Sequence, residues 1–240
     1  MRAEPPPPVN VVALIPAHDE ADRITATVTA VLSVPGIDHV VVIDDASDDD
    51  TAAHAAEAGA DVVRLSRNRG KGGALQAGLE HIAGTADVLV LLDADLGETA
   101  AEAGALIAPI VGDRADMTVA AFPRPDRRGG FGLVKGLARV GIRALSGYKA
   151  DAPLSGQRAL TRSAWTVATP FADGYGVEVA LTVRVSRAGG RVLEVPTTMR
   201  HAATGRDLAG FLHRGRQFVA VAVSLARLAL ERQSPGTNEG

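Results

Sequence analysis

The chain contains no cysteine. That excludes disulfides, thiolate zinc sites, iron–sulfur clusters and a cysteine nucleophile. Aromatic residues make up only 3%, so a core must be built from Ala, Val, Leu and Ile. Lysine is scarce as well: of 25 basic residues only Lys71, Lys135 and Lys149 are lysines. No long apolar run is present. The most apolar stretch, Phe218 to Leu230, includes Arg227 and is too short to span a bilayer. Before Pro5 to Pro8 there is no apolar segment of the kind a signal peptide needs. A soluble, cytoplasmic protein is expected.

What is present fits one α/β domain. A chain of 240 residues with 46% hydrophobic and 22% charged residues can bury a sizeable core. We divide it into a Pro-rich leader (1–8), a domain (9–232) and a flexible tail (233–240). The net charge of −3 conceals an asymmetry. Residues 1–120 carry 20 acidic and 7 basic side chains, and residues 121–240 carry 8 acidic and 18 basic. An acidic half suits a cation, and a basic half suits an anion or an anionic membrane surface. The basic half lacks interleaved aromatics, so nucleic acid is not an expected partner.

In the first half, β-branched runs alternate with helical patterns. Strands are expected at Val9–Ile15, His39–Ile43, Asp61–Leu65 and Val88–Leu92. Helices are expected at Ala21–Leu32, Asp48–Ala58 and Gly72–Ile82. Continuous apolar strands are covered on both faces, and strand–helix alternation implies a doubly wound, mostly parallel sheet with helices on both faces. The second half suggests strands at Met117–Phe122 and Arg191–Pro196. It also suggests helices at Phe131–Leu145, from about Glu178 to Ala188, and at Asp207–Arg232. Between them, Ala152–Ala159 reads as a loop entering a short strand.

Ligands bind such sheets at the carboxyl ends of the strands. There the chain places Pro16-Ala17-His18-Asp19-Glu20, Asp44-Asp45, the glycine-rich turn around Lys71, and Asp93-Ala94-Asp95. Each alone could be a cap or a turn. Together they form one polar edge. Two carboxylates at i and i+2 on a turn can converge on one hard divalent cation, Mg²⁺ or Mn²⁺, which stabilises a diphosphate leaving group.

Four segments, Leu14–Glu20, Val42–Thr51, Asn68–Leu75 and Leu91–Asp95, resemble in order and spacing the family 2 glycosyltransferases of GT-A fold. Pro153–Ala159 and Gly174–Glu178 resemble the acceptor side of the polyprenyl- or dolichyl-phosphate sugar synthases and of the glucosyl-3-phosphoglycerate synthases. The resemblance implies a nucleotide-sugar half (9–121) and an acceptor half (122–232). It places Pro16, Ala17 and Glu20 around the nucleoside, Asp45 at the edge of the base, most simply uracil, and Asp44 also among the nucleotide-sugar-binding residues. Lys71 reaches the nucleotide. By the same resemblance Asp93 would contact ribose or sugar, Asp95 would be the main metal ligand and His201 would complete the metal site. Asp93, Asp95 and Glu178 form the implied catalytic set, and Ser155, Gly156 and Tyr175 lie on the acceptor side.

One departure matters. The phosphoglycerate enzymes hold the acceptor phosphate with Gly-Gly-Gly-Arg-Val-Thr, and here Gly129–Val134 lacks the Arg and the Thr. Scattered cations (Arg124, Arg127, Arg128, Lys135, Arg139) suit a lipid phosphate instead. The expected partners are therefore a nucleotide-diphosphate sugar and an anionic acceptor, polyprenyl phosphate ahead of a small phosphorylated metabolite. Peripheral contact with the inner face of a membrane through 207–232, and a homodimer, complete the expectations. A phosphate acceptor is already nucleophilic; a hydroxyl acceptor would need Glu178 or Asp151 as base. A P-loop and a dinucleotide fingerprint are both absent. A catalytically degenerate nucleotide-binding scaffold is the non-enzymatic alternative.

Overall fold

The structure is a computed structural model. It describes residues 9–122, 132–172, 174–200 and 208–231, the side chains of Tyr175 and of 208–216 excepted. The β-branched runs form β1 (Val11–Ala17), β2 (His39–Asp44), β3 (Asp61–Arg64) and β4 (Val88–Leu91). Between them lie α1 (Ala21–Leu32), α2 (Thr51–Glu57) and α3 (Gly70–His81). A 3-10 turn (Gly97–Glu102) leads into α4 (Ala103–Val111) and β5 (Met117–Ala121). The second half adds α5 (Gly132–Ser146), β6 (Arg158–Thr161), α6 (Arg162–Ala168), a 3-10 turn (Gly174–Gly176), α7 (Val177–Arg187), β7 (Val192–Pro196) and α8 (Leu208–Glu231).

The seven strands form one sheet in the order β3-β2-β1-β4-β6-β5-β7. It is parallel except at β6, which runs antiparallel to both β4 and β5. The doubly wound, mostly parallel expectation holds, with three adjustments. β1 extends through Pro16 and Ala17, which pair with Ile43 and Asp44. α3 begins at Gly70, which puts Lys71 in its first turn. α6 was not anticipated, although Thr161 caps it by accepting a bond from the Ala164 amide at 3.2 Å.

Alternation along β1 splits the core in two. Val11, Ala13, Ile15 and Ala17 pack with Ile24, Val28 and Val31 of α1 and with Leu106 and Ile110 of α4. Val12 and Leu14 pack with Ala74 and Leu75 of α3, Trp165 of α6 and Leu181 of α7. A third cluster joins Ala138 and Ile142 of α5, Val179 and Val183 of α7, and Val221 and Leu228 of α8.

Small residues let α3 lie close to the sheet. A Cβ on Gly78 would sit 2.7 Å from Ile43 Cδ1 and 2.9 Å from Ile43 Cγ1. Gly78→Ala is expected to force α3 away and cost about 1–3 kcal/mol by overpacking. Urea denaturation checks this, and an unchanged midpoint would mean that the contact is not tight.

Candidate active site

The order of strands reverses at β1, whose neighbours are β2 on one side and β4 on the other. The carboxyl ends of β1 and β4 flank a natural crevice there. The turn after β4 carries Asp93, Ala94 and Asp95. Ala94 is buried, and its carbonyl accepts a bond from the Thr27 hydroxyl at 2.7 Å. The same hydroxyl accepts the Gly97 amide at 2.8 Å. Thr27, fully buried on α1, thus clamps the turn from behind and leaves both acids half-buried on the other side.

Asp93 Oδ1 accepts a bond from Lys71 Nζ at 2.5 Å, and its Oδ2 accepts one from Gln157 Nε2 at 2.5 Å. Asp95 faces different company, because its charge acts on Glu20. Burial raises the Glu20 carboxyl above its ordinary value; the bond from Arg23 pulls against this, and the charge of Asp95 adds to it. Among the described residues, no group of three or more His, Asp or Glu side chains is gathered for a metal.

Lys71 is the centre of the site. Its ammonium lies 2.5 Å from Asp93 and 2.9 Å from Glu178 Oε1, with its side chain 17% exposed. Burial works against the charge, but the two carboxylates more than offset it, so its pKa stands above the ordinary lysine value of 10.5. Stability from this cluster is complete below the ordinary value and is lost only as the pH rises through the higher folded value. Glu178 is buried in the first turn of α7, where the helix dipole also favours its charge. Gly156 presses against the pair: a Cβ there would collide with Lys71 Nζ and lie 2.9 and 3.0 Å from the Asp93 oxygens. The collision is costly because both side chain ends are locked by their ion pair.

On the nucleotide side, Pro16 and Ala17 end β1, and the turn beyond is held by its neighbours. The Asp19 amide donates to Ser47 Oγ at 3.0 Å, and the Glu20 amide donates to Thr51 Oγ1 at 2.8 Å. Asp45 Oδ1 accepts the Arg69 amide at 2.7 Å, which docks the loop before α3. Asp44 is fully enclosed rather than facing the crevice. Its Oδ1 accepts the Ser47 amide at 3.0 Å, and Arg64 Nε lies 3.2 Å from its Oδ2, a charge contact without hydrogen-bond geometry.

On the acceptor side, Ser155 is buried and donates to Gln157 Oε1 at 3.3 Å. Lys135 is half-buried on α5. Arg139 is turned back on the chain and donates to the carbonyls of Ala150 and Asp151. Arg124, Arg127, Arg128 and His201 lie outside the described residues, as does the side chain of Tyr175. The backbone up to His201 is nevertheless placed. Thr198 bonds to Glu102, the Arg200 amide donates to Thr99 Oγ1 at 3.1 Å, and Met199 packs in the cluster that holds Ala94 and Leu96.

Sequence reasoning missed Thr27, Gln157 and Arg158. The latter two lie inside a segment singled out for Ser155 and Gly156. Two polar residues entering an otherwise apolar central strand were the available signal. Thr27 carried none, because a threonine on a helix is ordinary.

The Glycosyl transferase family 2 model matches residues 12–145, more than half of the chain. Glycosyltransferase AglJ of Haloferax volcanii is 33% identical over 211 residues, covering 84% of this chain and 67% of that protein. Glucosyl-3-phosphoglycerate synthase of Mycolicibacterium paratuberculosis is 33% identical over 197 residues, covering 72% of this chain and 59% of that protein. Among solved structures, the Mycobacterium tuberculosis glucosyl-3-phosphoglycerate synthase with Mn²⁺, uridine diphosphate and phosphoglyceric acid superposes with a TM-score of 0.76 at 26% identity. It covers 95% of this chain and 80% of that one. With the polar strand ends gathered around Lys71 on a GT-A-like sheet, the chain belongs to glycosyl transferase family 2.

Proposed function

We propose that the chain moves a sugar from a uridine-diphosphate sugar to an acceptor that bears a phosphate. The observation that carries this is the Lys71–Asp93–Glu178 cluster at the crevice between β1 and β4. In this reading the nucleoside lies against Pro16, Ala17, Glu20 and Asp45. Asp93 contacts ribose or sugar, and Lys71 reaches the diphosphate while it stays paired with Glu178. Asp44 acts through the turn it holds. The neighbours solved with uridine diphosphate carry Mn²⁺ or Mg²⁺, which supports a divalent metal here. Asp95 would hold it with His201, since hard carboxylate oxygens on a rigid turn suit either ion. When bound, the metal supplies charge stabilisation for the departing diphosphate.

In the transfer, an acceptor phosphate oxygen bonds to the anomeric carbon while the bond from that carbon to the diphosphate breaks. No proton need be removed. Glu178 is committed to Lys71, and Asp151 Oδ1 accepts a bond from Arg139 at 3.3 Å. Both facts favour an anionic nucleophile over a hydroxyl. Polyprenyl phosphate is the preferred acceptor. A Klebsiella pneumoniae relative, 39% identical over 101 residues, is named an undecaprenyl-phosphate transferase. α5 also carries Lys135, Arg139 and Arg143 with no acid. The second reading, a small phosphorylated metabolite, is favoured by the likeness to a structure holding phosphoglyceric acid, TM-score 0.77. A lipid acceptor implies a membrane surface. Leu133 and Val140 of α5 and Val219, Val223 and Leu230 of α8 are exposed and suit peripheral contact. Among the described residues no helix is long and apolar enough to cross a membrane.

Calorimetric titration with UDP, GDP and CDP, each with Mn²⁺, Mg²⁺ or EDTA, should show tight binding of UDP only with metal. Asp95→Ala should abolish that metal dependence; its full retention would remove Asp95 from the metal site. Lys71→Ala should weaken UDP binding roughly 10–100-fold, the size of a hydrogen bond to a charged group. Binding by the unaltered chain should show no Lys71 titration below about pH 9, because the raised pKa keeps the ammonium charged. UDP release with undecaprenyl phosphate against 3-phosphoglycerate separates the two acceptors. Sedimentation with phosphatidylglycerol-containing against pure phosphatidylcholine vesicles tests the contact surface. Val219→Asp with Val223→Asp should reduce pelleting, and pelleting unchanged by the pair would move the contact elsewhere.

A further inference from the structure

Arg158 has no part in the proposed chemistry, yet it is the largest fully buried side chain described. It sits in the central strand β6, between Leu91 of β4 and Val119 of β5. Burial pushes its pKa down to about 10 against the pull of Glu178, Tyr148 and Glu194, so it remains charged at neutral pH. Replacing a buried charge by an apolar side chain of similar volume is often neutral or stabilising. Stability therefore gives no reason for an arginine here.

Its contacts do. Nε donates to the Ser155 carbonyl at 2.9 Å, and Nη1 donates to Thr182 Oγ1 at 2.9 Å. The Thr182 hydroxyl in turn donates to the Glu178 carbonyl at 2.9 Å. Nη2 has no hydrogen-bond partner, so the fork is used for two elements rather than saturated by one carboxylate. Ser155 opens the segment whose Gly156 presses on Lys71 and whose Gln157 holds Asp93. Thr182 lies one turn beyond Glu178, which holds Lys71 from the other side.

We propose that Arg158 is a positioning residue. It ties the Ser155–Gly156–Gln157 wall to the first turns of α7 and so sets the spacing of the two carboxylates that hold Lys71. Arg is suited to this because its planar fork fixes two acceptors at once, whereas Lys presents a point charge on a flexible stem. The functional half of the proposal rests on glycosyl transfer as read above; the structural half does not.

The test uses the full chain with R158M, R158K and T182V. Amide exchange is followed by mass spectrometry over 153–157 and 177–182. UDP binding with Mn²⁺ is measured by calorimetry. UDP release is measured from UDP-glucose with undecaprenyl phosphate or 3-phosphoglycerate, per UDP-binding site. R158M should keep a UDP stoichiometry equal to that of the unaltered chain. It should speed exchange in both segments about tenfold. It should lower kcat about a hundredfold, the cost of a small misplacement at a reacting centre, with KM for UDP-glucose within about threefold. R158K should lie between, and T182V should shift both readouts in the same direction by less. Exchange unchanged in the two segments, or kcat per binding site unchanged, overturns the proposal. A loss of UDP sites that alone explains lost activity also overturns it, since that is a folding defect. If R158M does not fold, R158K and T182V decide by the same readouts. If the unaltered chain binds UDP and releases none with either acceptor, the transfer reading falls while exchange still decides Arg158.

Discussion

An ammonium held between two carboxylates binds three separate parts of the chain. Lys71 comes from α3, Asp93 from the turn after β4 and Glu178 from the start of α7. A cation placed there alone would be driven to lose its charge by burial, and the two carboxylates reverse that outcome. Such a cluster is weak evidence for stability, because well-packed apolar residues can do as well. Its value lies in defining where α3 and α7 stand relative to the sheet. The close approach of α3 at Gly78 and the bare backbone of Gly156 both serve that spacing.

The polar residues that hold the irregular segments share one pattern. Each bonds to backbone. Thr27 holds Ala94 and Gly97, Asp44 holds Ser47, Asp45 holds Arg69, and Glu194 accepts the amides of Asp151 and Ala152. These are irregular segments with no ladder to satisfy their amides and carbonyls. Side chains take the place of the ladder, and the turns at the strand ends become as fixed as the strands.

Much of this was legible in the residues themselves. Continuous Val/Leu/Ile runs announced β1, β2 and β4, and the helix expected at Ala21–Leu32 is α1. The strand-end motifs gave Lys71 and Asp93, and the acceptor-side resemblance of Gly174–Glu178 gave Glu178. Other features were hidden for identifiable reasons. β6 is only four residues long and pairs antiparallel inside a parallel sheet, a reversal that no local pattern encodes. The bonds that Asp93 accepts come from Lys71 and Gln157, which arrive from distant elements. Asp44 and Asp45 look alike in sequence and both are buried, but only the structure shows that Asp44 pairs with Ala17 in the sheet while Asp45 docks the Arg69 amide.

The reversal at β6 also divides the molecule's evolutionary and engineering freedom. An antiparallel strand enters at the end where its parallel neighbours leave, so residues 155–157 are bound to the crevice and cannot lengthen without moving it. The strand then exits at the opposite edge, where Arg162 donates to the Gly84 and Thr85 carbonyls and to Asp87. That edge carries none of the residues gathered around Lys71. Exposed connections on that side whose backbone is not bonded in this way are the places where the chain can be extended or given a fused domain while the crevice keeps its shape.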